Sequence, residues 1–352
     1  MKIRSTATAA FLLAIAAFSF IQQPCGLFNP ASVRAADDRS QEQNPRPGSS
    51  RQKQNEDETT VRVDTTLVTV PVAAMDRDGK FVPGLRAEDF RVFEEGVEQE
   101  IAFFRSAEEP VTVALMLDVS DSAESNLREI QDAAIAFVDQ LRPDDQVTVI
   151  EFDSGLRELT LATNDRQVIH NAIRGARTGG GTRLYDAVDF ALTKRLNQMT
   201  GRKAIILFTD GVDVDSRVSL EKSMRTIEEA GIFIYPIQYK HPRYSSPAWS
   251  PMGGAPQNRN AYRGDQSKAD FYLRGIAKNT GARFYLAEDK KSLAKSFAQI
   301  ADELRRQYDL GYYPTSPARP GQRVKIKVTV KRPEVVVRAR GSYIYAPPSG
   351  AK

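Results

Sequence analysis

Three short polar segments carry residue types suited to an oxygen-lined cation site: Asp118-Val119-Ser120-Asp121-Ser122, Gly179-Gly180-Gly181-Thr182 and Thr209-Asp210-Gly211. The first and third each end an apolar run, and in open α/β sheets ligands bind outside the carboxyl ends of the strands. Mg²⁺ takes oxygen ligands in near-octahedral array and is held by one or two carboxylates, with the remaining positions left to water or ligand. In that chemistry Asp118 sets the site, Ser120 and Ser122 add neutral hydroxyls, and Thr182 and Asp210 close it from neighbouring loops. Mn²⁺ and Ca²⁺ suit the same donors. So few charges leave the cation electrophilic, so a Glu or Asp carboxylate from a protein partner is its natural last ligand. The glycines, Gly180 and Gly181 among them, let the loop backbone come close to the metal.

The elements around these segments alternate. Val111 to Leu117 predicts a buried strand, and Leu127, Ile130, Ala134, Phe137 and Leu141 follow at helical spacing. Gln146 to Phe152 and Leu156 to Leu161 flank Asp153-Ser154-Gly155 and predict a hairpin with one antiparallel edge strand. Helices are expected at Asp165 to Ala176, Leu184 to Gln198, Ser219 to Ala230, Ala269 to Thr280 and Ser292 to Tyr308. Strands are expected at Ala204 to Phe208, Ile232 to Tyr239 and Arg283 to Leu286. The pattern predicts an α/β fold with a doubly wound, Rossmann-like, mostly parallel sheet.

An Asp-Ser cluster after a strand is by itself ordinary cap or turn chemistry, and so is Thr-Asp-Gly. Their joint occurrence in this order carries more. Asp118-x-Ser120-x-Ser122, Thr182 and Thr209-Asp210-Gly211 resemble the metal ion-dependent adhesion site of the von Willebrand factor type A domain, over roughly Val111 to Tyr308. The flanking Gly84-Leu85-Arg86-Ala87-Glu88-Asp89-Phe90 and Tyr308-Asp309-Leu310-Gly311-Tyr312-Tyr313-Pro314 further resemble secreted acidobacterial-type relatives of that family. The resemblance implies a recognition module and a supporting role beside the site for Asp186. Asp213 and Asp215 either ring the site with negative charge or solvate their loop.

The organisation expected is a signal peptide over 1–35, a polar linker over 36–60, a β segment over 61–106, the type A domain over 110–308, a second β segment over 309–346 and a tail over 347–352. Lys2 and Arg4 precede the apolar stretch Ala9 to Ile21, and Val33-Arg34-Ala35 suits cleavage, so secretion or residence in the periplasm is expected, with no membrane span in the mature chain. Cleavage there removes Cys25, the single cysteine. Asp37 to Thr60 is too polar to offset its ordering entropy. Neither β flank is large enough for a secure core alone, so the two are expected to join in one small β-subdomain. Asp76 and Asp78 lack the later acidic ligands of a calcium loop and fit a hairpin turn.

Breakers interrupt the rhythm between Lys240 and Lys268, a long loop insertion leaving the same end of the sheet as the proposed metal. Arg243, Tyr244, Trp249 and Tyr262 are candidate partner contacts there, with a plain surface insertion as the alternative. The net charge of +4 leans on Lys325, Lys327, Lys331, Arg332, Arg338 and Arg340, which alternate as the solvated face of a strand would. Nucleic acid is not an expected partner; peripheral attraction to an anionic envelope surface fits the charge. With no cysteine in the mature chain a cysteine nucleophile is excluded, and with only His170, in a helical pattern, and His241, in the insertion, a Ser-His-Asp triad is not expected. A non-enzymatic recognition module is therefore expected. A metal-independent envelope scaffold and a Mg²⁺-dependent hydrolase are the other readings.

Overall fold

The computed structural model describes residues 67–239, 259–316 and 318–346, with the side chains of 259–264 outside the description. Its centre is β5 (Val111–Asp118), in which Val113 to Leu117 are wholly buried. Val113, Leu115 and Leu117 face a layer formed by α1 (Leu127–Val138), α2 (Arg166–Gly175) and α6 (Lys290–Leu304). Ala114 and Met116 face α3 (Leu184–Phe190), α4 (Leu220–Ala230) and α5 (Arg259–Thr280). A strand covered on both faces needs a continuous apolar run rather than an alternating one, which is what β5 has.

The six-stranded sheet runs β10-β9-β8-β5-β6-β7, from β10 (Tyr285–Ala287) through β9 (Phe233–Tyr239) and β8 (Arg202–Thr209) to β6 (Gln146–Phe152) and β7 (Leu156–Thr163). All neighbours are parallel except β6 and β7, the expected hairpin. The chain leaves β5 toward β6 and returns on its other side as β8. That reversal opens the crevice at the carboxyl ends of β5 and β8, where Asp118 and Thr209 end their strands.

The flanks interleave in two further antiparallel sheets. One orders β13 (Val336–Ala339), β1 (Val68–Met75), β11 (Gln307–Tyr312) and β4 (Ile101–Arg105). The other orders β14 (Ser342–Ile344), β12 (Arg323–Val330), β2 (Phe90–Glu94) and β3 (Val97–Gln99). Strands from both flanks are hydrogen-bonded in each sheet, and Val70, Val72, Val92, Leu310 and Tyr312 share one core. Asp76 accepts from the backbone of Asp78 and Lys80 at the turn after β1.

Several expected elements differ. Helix α5 begins at Arg259, so the last ten residues of the expected loop are helical; Asn260, Gly264 and Ser267 hid the apolar period there. The helix read to Tyr308 stops at Leu304, and Tyr308 is a strand residue of β11 whose ring stacks on Phe104 in the β core. The end of the expected second β segment is two short strands, β13 and β14, on either side of Arg340 and Gly341.

The basic stripe divides too. Lys325, Lys327, Lys331 and Arg332 are exposed, but Arg338 donates to Gly281 O at 2.7 Å and pairs with Glu303, and Arg340 is buried, donating to Glu228 O at 3.2 Å and Thr69 O at 2.5 Å. These two arginines fasten the β sheets to the ends of α4, α5 and α6, so alternation along β13 reflects an interface rather than a solvated face. Among the described residues no helix is long and apolar enough to cross a membrane. The expected signal peptide and linker lie outside the described residues.

Candidate functional site

Asp118 is wholly buried at the end of β5, and both its carboxylate oxygens are held. Ser120 donates its backbone N–H (3.0 Å) and its hydroxyl (2.6 Å) to Oδ1, and Thr209 Oγ1 donates to Oδ2 at 2.6 Å. Ser120 Oγ lies 3.1 Å from Ser122 Oγ, which lies 2.9 Å from the Tyr239 hydroxyl. Tyr239 ends β9 with its ring stacked on Phe208 at 4.7 Å. Four hydroxyls from three neighbouring strand ends thus gather around one carboxylate.

Backbone bonds lock the loops together. Gly179 N donates to Val119 O at 2.9 Å and Asp121 N to Gly180 O at 3.2 Å, tying the glycine loop to the Asp118 turn. Val214 N (2.9 Å) and Asp215 N (3.2 Å) donate to Thr182 O, tying that loop to the segment after β8. Thr182 is buried between them. Asp210 is fixed at its Oδ1 by Val212 N (2.9 Å) and at its carbonyl by Gln238 Nε2 (3.2 Å), which also donates to Asp270 Oδ1 at 2.8 Å.

Burial and the neighbouring Asp210 dominate the electrostatics at Asp118. Burial, and next the charge of Asp210, push the Asp118 carboxyl up to about 7, against the hydrogen bonds from Ser120 and Thr209. Burial together with Asp118 and Asp210 also raises the Tyr239 phenol well above its usual range. No lysine or arginine is among the groups that act on Asp118, and among the described residues no cluster of three His, Cys, Asp or Glu gathers there. A buried carboxylate is costly without a partner charge. Two aspartates among hydroxyl oxygens form a donor set that a hard cation fits.

The family model of the von Willebrand factor type A domain matches residues 112–299, over half of the chain. The chain belongs to this family. No curated protein matches it. Among solved structures, a von Willebrand factor type A protein from Catenulispora acidiphila is 12% identical, with 82% of this chain and 76% of that one covered and a TM-score of 0.42. A mutant of the PilB minor pilin from Streptococcus sanguinis is 12% identical over 56% of this chain, with a TM-score of 0.42, and this chain spans 61% of its length. The vWF domain of the type V pili tip protein Mfa5 from Porphyromonas gingivalis is 14% identical, covering 55% of this chain and 94% of that one, with a TM-score of 0.42.

Within this type A domain the remaining candidates fall into three groups. Asp186 Oδ1 accepts from Arg217 N (3.0 Å) and Val218 N (2.8 Å), while Asp213 Oδ1 accepts from Tyr185 N (3.1 Å) and Ser216 Oγ (2.5 Å), so both brace the loop after Asp210 against the start of α3. Burial raises the Asp213 carboxyl. Gly180 and Gly181 pack beside Ser154 and Asp215. Arg243, Tyr244 and Trp249 lie outside the described residues, and Tyr262 falls in α5 without a described side chain.

Gly179 has a second reason beside the one its motif suggests. A Cβ there would overlap the Asp153 carboxylate, so the absent side chain makes room for a neighbouring loop. Sequence reasoning did not assign Tyr239, Gln238 or Asp153 to the site, and it named Thr209 within its segment without giving it a role of its own. The available signal was position: Tyr239 and Thr209 are polar-tipped residues ending otherwise apolar strands at the sheet's ligand-binding edge.

Proposed function

We propose that this chain is an exported, metal-dependent protein-recognition module of the secreted acidobacterial type, acting outside the cell or in the periplasm. A divalent cation, Mg²⁺ first and Mn²⁺ or Ca²⁺ as substitutes, is held by Asp118, Ser120, Ser122, Thr182 and Asp210, and a Glu or Asp of a protein partner completes it. One observation carries the reading: a wholly buried carboxylate with no cationic side chain paired to it among the described residues, set among hydroxyl oxygens at the crevice of the sheet. A bound cation supplies a positive centre that an incoming carboxylate can share. Asp186 and Asp213 keep the Asp210 loop in place by holding backbone N–H groups.

The rim supports a protein partner. Val214, 62% exposed, sits on the loop whose N–H reaches Thr182 O. The fully covered core of a protein interface is more apolar than the surface around it, which suits Val214 to contact with a partner. Export rests on the pattern from Met1 to Ala35.

The test is affinity capture from an envelope extract with the full chain in Mg²⁺ and in EDTA, beside Asp118→Ala. Partners lost on chelation and in the variant are expected. Partners kept in both would sink metal-dependent recognition and leave the scaffold reading. Turnover of a phosphoester by the Mg²⁺-loaded protein, lost with Asp118, would instead favour a hydrolase.

A further inference from the structure

We infer that Tyr239 is a positioning residue of the cation site, acting through Ser122; this rests on the metal-binding reading above. Tyr239 is only 4% exposed, and its ring lies nearly parallel to that of Phe208, 10° between planes, on the neighbouring strand. A ring held that way cannot swing, so its hydroxyl is a fixed point at the edge of the sheet. The Ser122 side chain, on a short turn and only partly buried, has no such constraint of its own. The 2.9 Å bond to Tyr239 provides it.

The proton arrangement gives the bond its purpose. A serine oxygen that faces a cation must turn its own proton elsewhere. Ser120 does so by donating to Asp118 Oδ1. Ser122 has two hydroxyl neighbours, Ser120 Oγ and the Tyr239 oxygen. If Ser120 is also to face the cation, one of its lone pairs is already committed, whereas the Tyr239 oxygen, with the Ser120 hydroxyl as well as that of Ser122 beside it, faces no cation and can accept. Tyr239 thus receives the Ser122 proton and aims the Ser122 lone pair into the site. Groups that orient a ligand from behind typically matter 10–100-fold in metal affinity.

The experiment is a calorimetric titration of the metal-free full chain with MnCl₂ and MgCl₂, using the parent, Tyr239→Phe, Ser122→Ala and the double variant, with melting curves of the metal-free forms. Tyr239→Phe keeps the stacked ring and removes only the hydroxyl. The expected result is an affinity about tenfold weaker in Tyr239→Phe, a larger loss in Ser122→Ala, and a double variant no weaker than Ser122→Ala. The last equality is what a residue acting through Ser122 requires; a merely structural role would give additive losses. Unchanged affinity in Tyr239→Phe, or losses that add, would overturn the inference while leaving the cation site standing. No metal-dependent heat from the parent would overturn both. If Tyr239→Phe melts early, the comparison of Ser122→Ala with the double variant under conditions where both are folded still decides it.

Discussion

Thr209 Oγ1 donates to Asp118 Oδ2 at 2.6 Å, so the last residue of β8 holds the last residue of β5. The same hydroxyl oxygen accepts from Gly211 N at 2.9 Å, which sets the turn that carries Asp210. One buried threonine therefore fixes two of the three loops. Thr209→Val keeps the shape and removes both bonds, and a buried acceptor left without its donor costs roughly 1–3 kcal/mol. Urea unfolding of the metal-free variant should show a loss of that size with an unchanged slope. A stability equal to the parent's would mean the bond has no net worth.

Gly179 is the second point at which the site depends on close-fitting room. Arg157 holds the Asp153 carboxylate at 2.9 Å, and Gly155 N donates to it at 2.6 Å, so that side chain has little freedom to yield to a methyl group. Gly179→Ala should cost about 1–3 kcal/mol, as overpacking does, and weaken cation binding through displacement of the loop tied to Val119 O and Asp121 N. A crystal structure of the variant with Asp153 unmoved and melting unchanged would refute this.

Much of the central sheet was legible because buried parallel strands leave uninterrupted apolar runs, as in Val113 to Leu117, and because Asp118 and Thr209 are polar residues at their ends. The start of α5 was not, since Arg259 to Lys268 carries no apolar stripe to betray a helix. Tyr308 misled for the opposite reason: it keeps helical spacing with Leu304, yet its side chain belongs to the β core. Arg340 could not be told from an exposed strand residue by sequence, because what buries it is α4 from another part of the chain. Tyr239 could be placed at the right edge but not on Ser122, since that contact spans 117 residues.

The joint between the type A domain and the β sheets is made by main chain as much as by side chains. Gly281 has φ +81°, and a Cβ on it would stand 2.5 Å from Ala339 C and 2.7 Å from Arg340 N. Backbone cannot give way as a side-chain tip can. Gly281→Ala combines the strained left-handed conformation with overpacking, and a loss on the order of 2–4 kcal/mol is expected. It should appear as a lowered melting temperature with cation affinity kept at temperatures where the variant is folded. A variant as stable as the parent would show that β13 lifts away from the turn at Gly281 without cost.

Asp309 on β11 gives the fold a pH signature. Burial raises its carboxyl above the ordinary 3.8, against the charge of Arg202 and the bond from Gln307 Nε2 at 2.8 Å. The folded protein therefore holds this proton over a range in which the unfolded chain has released it. Its contribution to stability is complete below pH 3.8 and is lost as pH rises through the folded pKa. Asp309→Asn keeps an acceptor for Gln307 and does not titrate. The melting temperature of the parent relative to that variant should fall as pH is raised from about 4 toward 7, since one titrating group supplies the difference. A difference constant with pH would contradict the raised carboxyl.

A substitution at Val214 tests partner binding apart from cation binding. Its side chain is 62% exposed on the rim, while its N–H bond to Thr182 O belongs to the backbone and survives substitution. Val214→Ser is expected to leave folding within about 0.5 kcal/mol, as exposed changes do, and to leave Mn²⁺ affinity unchanged. On the recognition reading the same change removes an apolar contact worth roughly 1.5–3 kcal/mol when fully covered, so retention of a captured partner should weaken about tenfold or more, 1.4 kcal/mol being a factor of ten. Equal retention by parent and variant would place the partner's footprint elsewhere on the rim. Lost Mn²⁺ binding would instead show that the loop after Asp210 is held by the Val214 side chain and not by its backbone.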